Sequence, residues 1–146
     1  RSLLIDAHSG LGDIHLAQED APSALIAWRQ ALRLCADLHG PNHPQTAAIQ
    51  AGVGTLEMMT DDLAAARRSL EQALATYKAI GRNETMEAAI ALSNLAFTLL
   101  MLEDLPGAEA AATEAVALSK GANPNVHMEA KDILRKIQTA RTAVRP

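Results

Sequence analysis

Apolar residues recur three and four positions apart through almost the whole chain. Leu4, Ala7, Leu11, Ile14 and Leu16 set this rhythm at the start and predict a helix over about 2–17. The same spacing predicts helices over about 21–38, 44–59, 63–80, 84–102, 105–120 and 126–144. Between them lie polar turns at Glu19-Asp20, Thr60-Asp61 and Asp104, and longer breaks at Gly40-Pro41-Asn42-His43-Pro44, Gly81 and Gly121-Ala122-Asn123-Pro124-Asn125. Asp20, Asp62 and Asp104 each precede a helix, where a carboxylate accepts the free amide hydrogens of the first turn. No β-branched or aromatic run marks a strand, so the predicted class is all-α.

The pattern is also written three times. The stretch from Asp62 to Leu74 matches Asp20–Leu32 when shifted back 42 residues and Asp104–Val116 when shifted forward 42. A fixed period of this size is the sequence mark of a solenoid. It divides one domain into repeats of about 5–43, 44–83 and 84–125, with an unpaired capping helix over about 126–144. In register, Leu11, Val53 and Leu95 align, and each precedes a small residue: Gly12, Gly54 and Ala96. Ala24, Ala66 and Ala108 form another column, Ala31, Ala73 and Ala115 a third, and Trp28, Leu70 and Ala112 one of falling size. Glycine inside a helix costs about 1 kcal/mol against alanine. Its use at Gly12 and Gly54 predicts that a neighbouring helix approaches the backbone there.

These columns resemble the tetratricopeptide repeat. Its pattern of Leu-Gly/Ala in the first helix, then Ala, a large apolar residue, Ala and Leu in the second, is met by Leu11-Gly12 with Ala24, Trp28, Ala31 and Leu32. It is met again by Val53-Gly54 with Ala66, Leu70, Ala73 and Leu74, and by Leu95-Ala96 with Ala108, Ala112, Ala115 and Val116. The 42-residue period and the Leu38-His39-Gly40-Pro41-Asn42-His43-Pro44 linker resemble the kinesin-light-chain type. Two departures stand out. The family's usual turn glycine is replaced by Glu19, Asp61 and Glu103, and Ala112 stands where a large residue is expected, which predicts looser packing of the third pair.

The resemblance implies a right-handed α-solenoid of three helix-turn-helix pairs plus the capping helix, whose first helices line a concave, peptide-binding face. Projected onto this chain, the groove residues are Ser9, Asp13, Thr55, Met59, Ser93, Asn94, Phe97 and Met101, with Arg135 from the last helix. Asn94 matches an asparagine common in the kinesin-light-chain type. Phe97, Met59 and Met101 make the strip apolar, and flexible methionine suits an adaptable surface. The basic and asparagine set with which relatives clamp a C-terminal carboxylate is missing, so the expected ligand is an apolar extended segment or an amphipathic helix. The implied function is protein–protein interaction. Two alternatives are a ligand- or peptide-sensing domain of a bacterial transcriptional regulator, and a self-association unit that dimerises through a solenoid end near Leu3, Leu4 and Ile5.

Charge and chemistry narrow the picture further. The net charge is −4, which argues against direct nucleic-acid binding. It is uneven: 8 basic and 15 acidic residues up to Asn125 give −7, whereas 5 and 2 beyond it give +3. Cys35 is the single cysteine, so neither an internal disulfide nor a cysteine metal site is expected. No apolar run reaches the roughly 20 residues of a membrane span, and the reading is a cytoplasmic protein. The chain opens on Arg1 inside a helical pattern, which reads as a segment of a longer protein. His8 and His15 lie about 10 Å apart along a helix, too far to share one zinc ion. No nucleophile elbow or phosphate loop is present. No enzyme activity, metal or cofactor is expected.

Overall fold

A computed structural model describes residues 20–144. The predicted first helix, with Ser9, Asp13, Gly12, His8 and His15, lies outside the described residues, as does the solenoid end near Leu4. The described residues form six helices: α1 (Ala21–His39), α2 (Pro44–Met59), α3 (Leu63–Ala79), α4 (Met86–Met101), α5 (Leu105–Ser119) and α6 (Pro124–Val144). They belong to two compact units, one ending at Ile80 and the other starting at Gly81.

Each aspartate of the repeat caps a helix. Asp20 accepts from the Ser23 amide at 3.2 Å, Asp62 from Ala65 at 3.3 Å and Asp104 from Gly107 at 3.2 Å. Other starts differ slightly from the predicted bounds. Thr85 caps α4, so that helix begins at Met86 rather than 84. Asn123 Oδ1 accepts from the amides of Asn125 and Val126, and α6 therefore begins at Pro124 rather than 126. Proline suits that position because the first turn has no use for its missing N–H. The linker histidines are structural: His43 Nδ1 accepts from the Gln45 amide, and the His39 and His43 rings stack with centroids 4.2 Å apart.

The turn positions where the family usually has glycine are Asp61 and Glu103, and both adopt φ of 65°. The geometry around them explains the family's preference. The Asp62 amide donates to the Glu57 carbonyl and Asp61 to Met58; likewise Asp104 donates to Leu99 and Glu103 to Leu100. This paired pattern ends a helix through one left-handed residue. A side chain there costs about 1–2 kcal/mol, less for aspartate than for glutamate. Glu103→Gly is therefore expected to stabilise the protein by about 0.5–1 kcal/mol, after the extra freedom glycine gives the unfolded chain. A raised denaturant midpoint checks this; an unchanged or lower one would mean that the Glu103 side chain contributes a compensating contact.

In the first unit α2 packs against both α1 and α3, around Leu25, Cys35, Ile49, Val53 and Leu56, with Trp28 against the cluster. In the second unit α4 pairs with α5, and α6 covers both. The alanine columns lie in the core: Ala24, Ala66, Ala108, Ala31, Ala73 and Ala115 are all fully buried. A Cβ placed on Gly54 would lie 2.8 Å from Leu70 Cγ, so that glycine exists for a close approach. Ala112 is also fully buried, and its register partner is Ala96 rather than a glycine.

Candidate partner-binding faces

The outward face of α4 carries Ile90, Asn94, Phe97 and Met101, which recur within a narrow arc at 100° per residue. Opposite them Leu92, Leu95 and Leu99 enter the core. Ile90 and Met101 are exposed, Met101 by 51%, and Phe97 and Asn94 are half-buried between them. The structure thus brings three of the predicted groove residues, Asn94, Phe97 and Met101, onto one strip, and adds Ile90.

Ser93 is not on that strip. It is 3% exposed, and its hydroxyl finds no hydrogen-bond partner among the described residues. At 100° per residue it sits to one side of the Ile90–Met101 line, on the buried flank. Arg135 does not join the strip either. On α6 it projects roughly 160° from the packed stripe of Ala130, Ile133 and Ile137, where it pairs with Asp132 at 3.4 Å. In the first unit the corresponding face of α2 carries Ala48, Thr55 and Met59. Met59 is 52% exposed, whereas Thr55 is half-buried and donates to the Ala51 carbonyl at 3.0 Å.

One polar cluster is not evident from the apolar periodicity. Glu57, on the inward side of α2, is 5% exposed. Its Oε2 accepts from Arg29 at 3.0 Å and its Oε1 from the Ser69 hydroxyl at 2.5 Å, tying α1, α2 and α3 together. The 42-residue register held the signal. Glu57 aligns with Leu99 and Ser69 with Ala111, so one repeat fills with a polar pair the space that the next fills with an apolar pair. Cys35, also in this core, is fully buried with Sγ 3.3 Å from Thr46 Oγ1. Among the described residues no group of His, Cys, Asp or Glu is placed to hold a metal ion, and no helix is long and apolar enough to cross a membrane.

Comparison with known proteins agrees with this architecture. The family profile described as tetratricopeptide repeat matches residues 3–79. No curated protein matches the sequence. Among solved structures, BtubC (BKLC) from P. vanneervenii superposes with a TM-score of 0.75 at 15% identity, over 99% of this chain and 67% of that one. The first TPR of Spaghetti (RPAP3), bound to the HSP90 peptide SRMEEVD, gives 0.74 at 17% identity over 97% and 96%. Kinesin-light-chain-type TPR-like repeats from Podosopora anserina give 0.72 at 15% over 97% and 77%. At such identities the likeness concerns the fold, an all-α solenoid of helical repeats. With the profile match over more than half its length, the 42-residue period and the capped helix pairs, the chain belongs to the tetratricopeptide repeat family.

Proposed function

We propose that the chain is a protein–protein interaction module that holds a peptide or helix of a partner against the outward face of α4, with the Met59 face of α2 as a second surface of the same kind. The observation that carries this reading is the α4 strip: Ile90, Phe97 and Met101 present apolar surface around the amide of Asn94. Contiguous exposed apolar side chains favour removal from water by a partner. An amphipathic helix or an extended apolar segment would cover such a strip with side chains at matching intervals. Met59 and Met101 add adaptability, since an unbranched thioether repacks at low cost. A structural relative that carries a bound peptide lends the reading further support.

Selection from a displayed peptide library tests it. Wild type is expected to enrich sequences with apolar residues at helical or alternating spacing. Their affinity for Phe97→Asp is expected to fall at least tenfold, because a carboxylate would then face apolar ligand atoms, while circular dichroism stays unchanged. Enriched peptides that bind Phe97→Asp as tightly as wild type would place the binding face elsewhere.

A further inference from the structure

A second face of the first unit carries a cleft of different chemistry. It is a half-open space of about 400 Å³ between α1 and α3, with α2 as its floor. Gln50 contributes from α2, on the stripe of Thr46, Val53 and Glu57, which lies roughly opposite the Ala48–Thr55–Met59 face. The cleft is therefore separate from the proposed partner surface. Arg29 and Arg33 stand on the α1 wall, Gln72 and Thr76 on the α3 wall, and Leu32 supplies apolar lining. Among the described residues no acidic side chain lines it, although the chain as a whole carries a net charge of −4.

The two arginines are not equivalent. Arg29 is held by buried Glu57, so its charge is matched. Arg33 is exposed and has no ion-pair or hydrogen-bond partner among the described residues. Among the described residues, Arg33 is thus the cationic side chain of the cleft without an ion-pair partner. Burying more than one negative charge against it would leave an unpaired ion, which is costly. A guanidinium offers two parallel N–H donors that match the oxygens of one carboxylate. The amides of Gln50 and Gln72 supply neutral donors and acceptors, and Leu32 an apolar contact. The volume lies toward the small end of the range for small-molecule sites.

From this geometry we infer that the α1–α2–α3 cleft binds a small organic monocarboxylate, its carboxylate on Arg33, its polar groups on Gln50 and Gln72, and its apolar body along Leu32. The ligand class is set by charge and size: a monoanion with an apolar body.

Amide-detected NMR titrations of the whole chain test this, with hexanoate, N-acetyl-leucine and N-acetyl-phenylalanine as probes. At least one acid is expected to give saturable shifts of the Gln50 and Gln72 side-chain amides. Binding is expected to weaken at least tenfold in Arg33→Gln, whose exposed site leaves the fold intact, and for N-acetyl-leucinamide, which lacks the charge. It is expected to persist in Phe97→Asp, which separates this site from the partner surface. The inference is overturned if no acid gives saturable shifts, or if the neutral amide or Arg33→Gln matches the acid on wild type. It is equally overturned if inorganic phosphate competes as well as the acids, or if only a peptide with an internal glutamate binds.

Discussion

Adding Gly54→Ala to Leu70→Ala is expected to recover about 1–2 kcal/mol, although Gly54→Ala alone destabilises the protein. Leu70 is among the largest fully buried side chains, and truncating it removes apolar contacts and leaves a cavity, a loss of about 3 kcal/mol. Gly54→Ala alone gains about 1 kcal/mol of helix propensity. Against that, the new methyl would sit 2.8 Å from Leu70 Cγ and 3.2 Å from the Leu70 backbone nitrogen. Leu70 Cγ is the branch point next to Cβ and cannot retreat as a side-chain tip can, so overpacking of about 1–3 kcal/mol outweighs the gain. Once Leu70 is alanine the clash with its side chain disappears and the methyl fills part of the void. The double variant then repeats the Ala96–Ala112 pair of the second unit, where both side chains are fully buried. Chemical denaturation of the four proteins measures the coupling. Additive effects within about 0.5 kcal/mol would mean that the two positions do not share one packing space.

The second large effect concerns charge. Arg29→Met is expected to cost about 2–3 kcal/mol, whereas Glu57→Leu combined with Ser69→Ala should stay within about 1 kcal/mol of wild type. The reason is unequal burial: the Arg29 side chain is 48% exposed and that of Glu57 only 6%. Without Arg29 the carboxylate keeps a single Ser69 hydroxyl donor in an apolar core, and an uncompensated buried charge is strongly destabilising. Half-exposure of Arg29 brings that cost below the value for a fully buried pair. Removing the carboxylate and the hydroxyl together leaves no unmet polar group, and the Leu99–Ala111 pair in the next repeat fills the same register positions with apolar side chains. Equal losses in both variants, read from denaturant midpoints, would show that the pair stabilises on its own account.

The architecture was legible because the features that build it are local and recur. The cap aspartates, the alanine columns and the glycine at 54 each act through neighbours fixed by helix geometry, so a 42-residue comparison finds them. Helix bounds slipped where two residue types both fit a start, as at Thr85 and Pro124. The candidate surface was harder to read. Ser93 and Phe97 are both near the outward arc by angle, but a small side chain on its flank sinks into the core while a larger one reaches out. Arg135 was projected from a helix without a repeat partner, so no column could check its direction. Glu57 was hidden because an acid in an amphipathic helix reads as solvated unless its column is inspected.

The indole of Trp28 lies against Gly52, with its Nε1 enclosed and without a hydrogen-bond partner among the described residues. The other strong ultraviolet chromophore, Tyr77, is also buried in the first unit, and the chain has one of each. The second unit holds only Phe97 and is optically dark in that range. Intrinsic fluorescence therefore reports on residues before Gly81 alone. Circular dichroism sees both units, so the pair of signals distinguishes their melting without any added label.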